Sequence, residues 1–175
     1  AYEQIFTAHP EWVGKVIADL NFELPAHAHN TQDAIRCTYE YADFIRQFTD
    51  SLTVPKEAYP DGITVLSPIE TWSDDFSMAI AGIPSTVNDF SAGPFMQNYY
   101  HSQYDNQDVY QEAVYQFHHE CYLKLIMAID RLVLPPMNFS NTMNAVAESI
   151  HENALSFADP EQNVLLRNLQ TIIDS

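Results

Sequence analysis

The chain has 175 residues, 46% of them apolar and 13% aromatic. That is enough for one domain with a substantial core, and it excludes a disordered chain. Lys and Arg number 7 against 24 Asp and Glu, a formal charge of -17, and a field of that sign disfavours nucleic acid as a partner.

In chain order, Tyr2 to His9 reads as the tail of a helix ended by Pro10. Lys15 to Leu24 reads as a strand stopped by Pro25. Asn30 or Thr31 is positioned to cap a helix running to about Leu52, because Ile35, Tyr39, Ala42, Ile45, Phe48 and Leu52 recur at three- and four-residue steps. Pro60-Asp61-Gly62 marks a turn, and Ile63 to Leu66 is an apolar run of strand length. Asp75 to Ala81 is a short helix closed by Gly82, and Ile83 to Val87 a further strand. The polar stretch Asp89 to Asn106, with Gly93 and Pro94, reads as a long loop, a length that often carries function.

A long helix is expected from about Asp108 to Leu134, with Tyr110, Val114, Phe117, Cys121, Leu125, Ala128 and Leu132 as its stripe and Pro135-Pro136 as its end. Asn141 to Phe157 is helical, with Met143, Val146, Ala147, Ile150 and Ala154 on one face. Asp159-Pro160-Glu161-Gln162 is a helix start, and that last helix meets no stop signal. Strands alternating with helices, then helices alone, predict an α/β fold. Its sheet is expected to be mainly parallel and flanked by helices, over residues 1–137. A helical appendage, its last two helices packed together, is expected over 138–175.

Cys37 and Cys121 lie in segments that read as helix, without metal-type spacing, and are expected as buried free thiols. That state suits a reducing compartment and slightly favours the cytoplasm. No apolar run reaches membrane-spanning length. Asn138-Phe139-Ser140 fits a glycosylation sequon.

The chemistry concentrates in Tyr99-Tyr100-His101-Ser102-Gln103-Tyr104-Asp105-Asn106, which sets an imidazole at the mouth of a loop. His101 is a candidate zinc ligand, since catalytic zinc takes histidine and carboxylates. Glu23, in Asn21-Phe22-Glu23, is a second candidate, at a strand end where ligands of open α/β sheets gather, with Asp19 and Asn21 deeper on the same strand face. His27-Ala28-His29 would put two rings on one side of an extended segment, although surface histidines after a proline are common. His118 and His119 are expected at the surface or the core edge. Ser73 and Asp74 open the segment SDDFSMAIAGIP, with Asp74 able to cap a helix or face a cleft. There is no nucleophile elbow, glycine-rich phosphate loop or CxxC cluster.

Ser73 to Pro84 followed by Tyr99 to Asn106 resembles the second half of the co-catalytic zinc exopeptidase domain of the glutamate carboxypeptidase and transferrin receptor group. The likeness covers roughly Val16 to Met137, with a weaker one of the C-terminal helices to that group's dimerisation region. It implies hydrolysis of a peptide or small amide by two zinc ions, with Glu23 and His101 each holding a different one. Tyr100 would polarise the substrate carbonyl, and Ser73 and Asp74 would line the cleft above Phe76, Ile80 and Ile83. The two ligands would then converge within roughly 5–9 Å. The sequence departs from the group at Glu23, where relatives carry aspartate. The group's HxD motif and Glu-Glu pair, expected before Lys15, are not found. The resemblance therefore implies a C-terminal piece of a longer polypeptide whose first half completes the site, with a homodimer possible and the piece alone inactive. A non-catalytic transferrin receptor-like binding domain is the alternative, and an unrelated α/β domain a third.

Overall fold

A computed structural model describes residues 2–23, 26–27, 30–149, 164–165, 167–168 and 171–172. The architecture is α/β, with a four-stranded mixed sheet and helices. Strands β1 (Asp19–Asn21), β2 (Gln32–Cys37), β3 (Ile63–Leu66) and β4 (Ser85–Ala92) lie in the order β1-β4-β2-β3. The two outer pairings, β1 with β4 and β2 with β3, are parallel, and the central β2–β4 pairing is antiparallel. Helices α1 (Ala42–Asp50), α2 (Phe76–Ile80), α3 (Phe95–Asn98), α4 (Glu112–Asp130) and α5 (Phe139–Ser149) complete the chain order.

One face of the sheet carries the main core. Ile35 and Cys37 of β2 pack with Ala42, Ile45 and Phe48 of α1 and with Val114, Phe117, Cys121, Leu125 and Ile129 of α4. Of the expected α4 stripe, Val114, Phe117, Cys121 and Leu125 are buried and Ala128 and Leu132 partly so, Leu132 beyond the helix end, while Tyr110 lies ahead of the helix and is exposed. A smaller cluster joins Ile5, in a π-helical turn over Gln4–Ala8, to Ala81 and Ile83. Both cysteines are free and buried, and burial pushes Cys37 up to about 11 and Cys121 up to about 12.

The helix expected from Asn30 or Thr31 does not begin there. Residues 32–37 form β2, a 3-10 turn follows at Tyr39–Tyr41, and α1 starts at Ala42. Cys37 accordingly sits in a strand. β2 is an inner strand buried on both sides, so it lacks the alternation that marks a half-exposed strand. Ile35 stands four residues before Tyr39 and so extends the helical pattern of α1 backward.

β4 likewise runs beyond the expected Val87, through Asn88 and Asp89 to Ala92. The antiparallel ladder with β2 holds this extension in spite of its polar side chains. The supposed long loop therefore shrinks to the turns flanking α3. The strand expected over Lys15–Leu24 is regular only at Asp19–Asn21. Its predicted stop at Leu24 and Pro25, the end of the Asn141–Phe157 helix and the Asp159–Gln162 start fall outside the described residues, so the pairing of the last two helices does too. α5 packs on the Tyr39–Tyr41 turn, and Asn138 donates to the Asp43 carboxylate at 2.6 Å. No helix among the described residues is long and apolar enough to cross a membrane.

Candidate functional site

α2 ends as its sequence dictates. Gly82 adopts φ +77°, its N–H reaches the Ala79 carbonyl, and the Ile83 N–H reaches the Met78 carbonyl. This left-handed cap turns the chain directly into β4 and fixes the helix start beside the end of β1. There, Asn21 donates from Nδ2 to Glu23 Oε1 at 2.9 Å and to Asp75 Oδ2 at 3.2 Å. The Ser73 hydroxyl donates to the same Asp75 oxygen. Asp75, at 3% exposure, is thus the buried acid of its pair, while Asp74 is exposed. Neither side chain caps α2. Below them Asp19 is pushed up to about 7, first by burial and then by the charge of Asp75.

A cavity of about 210 Å³ opens over these groups, and Glu23, Ser73 and Tyr100 all line it. Arg36, Glu70, Trp72, Asp89 and Met96 form the rest of its working wall. Arg36 reaches across from β2. Its Nε donates to Asp89 Oδ2 at 2.7 Å, its Nη1 to the Pro68 carbonyl at 3.0 Å, and its Nη2 lies 3.2 Å from Glu70 Oε1. The Ser67–Pro68 peptide is cis.

Tyr100 is half-buried, edge-on to Phe95 with ring centroids 5.8 Å apart. His101 is exposed, stacked on Tyr100 at 3.9 Å, and is not on the cavity wall. Its φ of 54° is left-handed, uncommon for a residue with a side chain. Strain of this kind is found at working sites more than elsewhere.

His27 is buried, with its ring 3.9 Å from that of Phe95 and Nε2 3.8 Å from Asp105 Oδ1, which is a packing position. His29 lies outside the described residues.

His118 corrects the expectation of a surface or core-edge histidine: it is fully buried. Nε2 lies 2.9 Å from the Tyr59 hydroxyl and 3.4 Å from Asp33 Oδ1, and Nδ1 lies 3.1 Å from the Tyr122 hydroxyl. Burial raises the Asp33 carboxyl, with His118 opposing it, and raises Tyr59 and Tyr122. Tyr122 also donates to the Glu23 carbonyl at 2.9 Å, so this network fixes the backbone of a site residue from beneath.

As a metal site the donor set is partial. Glu23 and His101 offer one donor each, and among the described residues no three His, Cys, Asp or Glu are gathered to hold one ion. What the arrangement offers chemically is a hydroxyl donor at Tyr100, a carboxylate at Glu23 and a walled recess between them. Arg36, Glu70, Trp72, Asp75 and Asp89 were missed from sequence. Arg36 carried a signal, since it is one of only seven Lys and Arg and stands between Ile35 and Cys37. Comparison with protein-family models, curated proteins and solved structures finds no match to this chain.

Proposed function

We propose that this chain carries part of the site of a zinc-dependent exopeptidase resembling the glutamate carboxypeptidase and transferrin receptor group. One observation carries the reading. Glu23, Ser73 and Tyr100, picked from three separate segments by motif, line one cavity. Tyr100 would donate its hydroxyl to the carbonyl of the bond to be hydrolysed, and the Ser73–Asp75–Asn21 chain would hold the Glu23 carboxylate in place. Zinc, when bound, would supply Lewis acidity. Glu23 and His101 would give one donor each, and the other ligands would come from a part of the polypeptide not among the described residues. No hydrolytic step is assigned to the chain alone.

The test is metal titration of the chain followed by NMR. Zinc should bind more weakly than about micromolar, because affinity falls steeply as ligands are lost. Cobalt(II) should broaden signals around Glu23, Tyr100 and His101, and His101→Ala should remove the broadening at Tyr100 and His101. Broadening spread over the acidic surface, or tight stoichiometric zinc binding unaffected by His101→Ala, would refute the reading.

A further inference from the structure

The cavity wall bears three carboxylates, Glu23, Glu70 and Asp89, against one guanidinium. Each guanidinium nitrogen already has a partner: Nε with Asp89, Nη1 with the Pro68 carbonyl and Nη2 with Glu70. Three of its five N–H donors are thus engaged, and an incoming anion would face an excess of negative charge. An incoming cation meets the opposite field, reinforced by the chain's -17. The rim adds a second requirement. Trp72 is 70% exposed and Met96 is 47% exposed, so an aromatic face and a thioether stand open beside the carboxylates. Tryptophan is the best aromatic partner for a cation, and an apolar stem under a charged head suits such a wall. At about 210 Å³ the recess is smaller than the ~300–1,000 Å³ of pockets for whole drug-sized ligands, so it fits one side chain.

We propose that this cavity selects a lysine or arginine side chain of a peptide whose backbone lies against Glu23 and Tyr100. Trp72 and Met96 pack on its stem, and Glu70 and Asp89 attract its charge. This rests on reading the cavity as the substrate site.

The experiment titrates the chain, labelled with ¹⁵N and with ¹³C at the methionine methyls, at low salt with Ala-Arg-Ala, Ala-Leu-Ala and Ala-Glu-Ala. The Trp72 indole signal is read, with Trp72→Phe separating it from Trp12. Ala-Arg-Ala should saturate at a concentration about tenfold or more below Ala-Glu-Ala, since the wall sets like charge against the glutamate side chain. The Glu70→Gln/Asp89→Asn double variant should reverse the order, because it frees the guanidinium. Trp72→Ala, at an exposed position that spares the fold, should erase most of the preference for arginine, read at the Met96 methyl. Preference for leucine or glutamate in the unaltered chain would overturn the selection and leave the substrate-site reading standing. Shifts scattered over the acidic surface would overturn the selection as well. No shift with any peptide would overturn both, and the cobalt experiment would then show separately whether the metal donors are correctly placed.

Discussion

Replacing His118 by leucine takes away the imidazole that faces a carboxylate shut off from water. Asp33 and His118 are both fully buried and 3.4 Å apart, and Tyr59 shares the same ring nitrogen. The variant strands the Asp33 carboxyl and the Tyr59 hydroxyl together. A stranded buried polar group costs about 1–3 kcal/mol, and a broken buried charge pair about 3–5 kcal/mol. His118→Leu should therefore destabilise by about 3–5 kcal/mol. Asp33→Val should cost less, about 1–3 kcal/mol, because the remaining imidazole keeps Tyr59 and Tyr122 as partners. The double variant removes both members and should cost no more than His118→Leu alone, a coupling at least equal to the cost of Asp33→Val, about 1–3 kcal/mol. Urea unfolding followed by tryptophan fluorescence measures all four corners of the cycle. Additivity within about 0.5 kcal/mol would show that the two groups do not form a unit, and the reasoning would fail.

Asp19, raised from 3.8 to about 7, keeps a proton in the folded chain that the unfolded chain gives up. Stability should fall as pH rises through that window, and Asp19→Asn should flatten the slope in urea titrations across it. Gly82→Ala meets nothing within 4 Å but must hold φ +77°, so it should cost about 1–2 kcal/mol in thermal unfolding, from backbone strain alone. Tyr122→Phe loses the hydroxyl bound to the Glu23 carbonyl and should cost about 1 kcal/mol. Its amide-exchange map should show faster exchange around Glu23, while α1 is unchanged.

The long helix α4 was legible because its buried residues obey one period over five turns with nothing competing. His118 obeys the same period, four residues after Val114 and three before Cys121, so its burial was written in the sequence. Polarity concealed it, since a buried histidine makes sense only once Asp33 is known to lie opposite. β2 was read as helix because Ile35 fits both a step of two from Asp33 and a step of four to Tyr39. Which pattern wins depends on β3 and β4 flanking it, information not local to residues 32–37. The same holds for the site. Glu23, Ser73 and Tyr100 belong to contiguous motifs and could be named in advance. Arg36, Glu70 and Asp89 form their pairs across separate segments, and no spacing along the chain announces such a pairing.

β4 is an inner strand and the last of the four to appear along the chain. β2 and β3 can pair with each other before it arrives. β1 cannot: among the described residues it has no strand beside it except β4, with Asp19 set against Ser85. Closing that span costs chain entropy before any ladder bond returns it, so β1 joins the sheet no earlier than β4 does. Glu23 follows β1 directly, so the recess acquires its carboxylate only once β4 is in place. During synthesis all four strands are made before α4, so the groups of the site can meet before the helix that closes the core has formed.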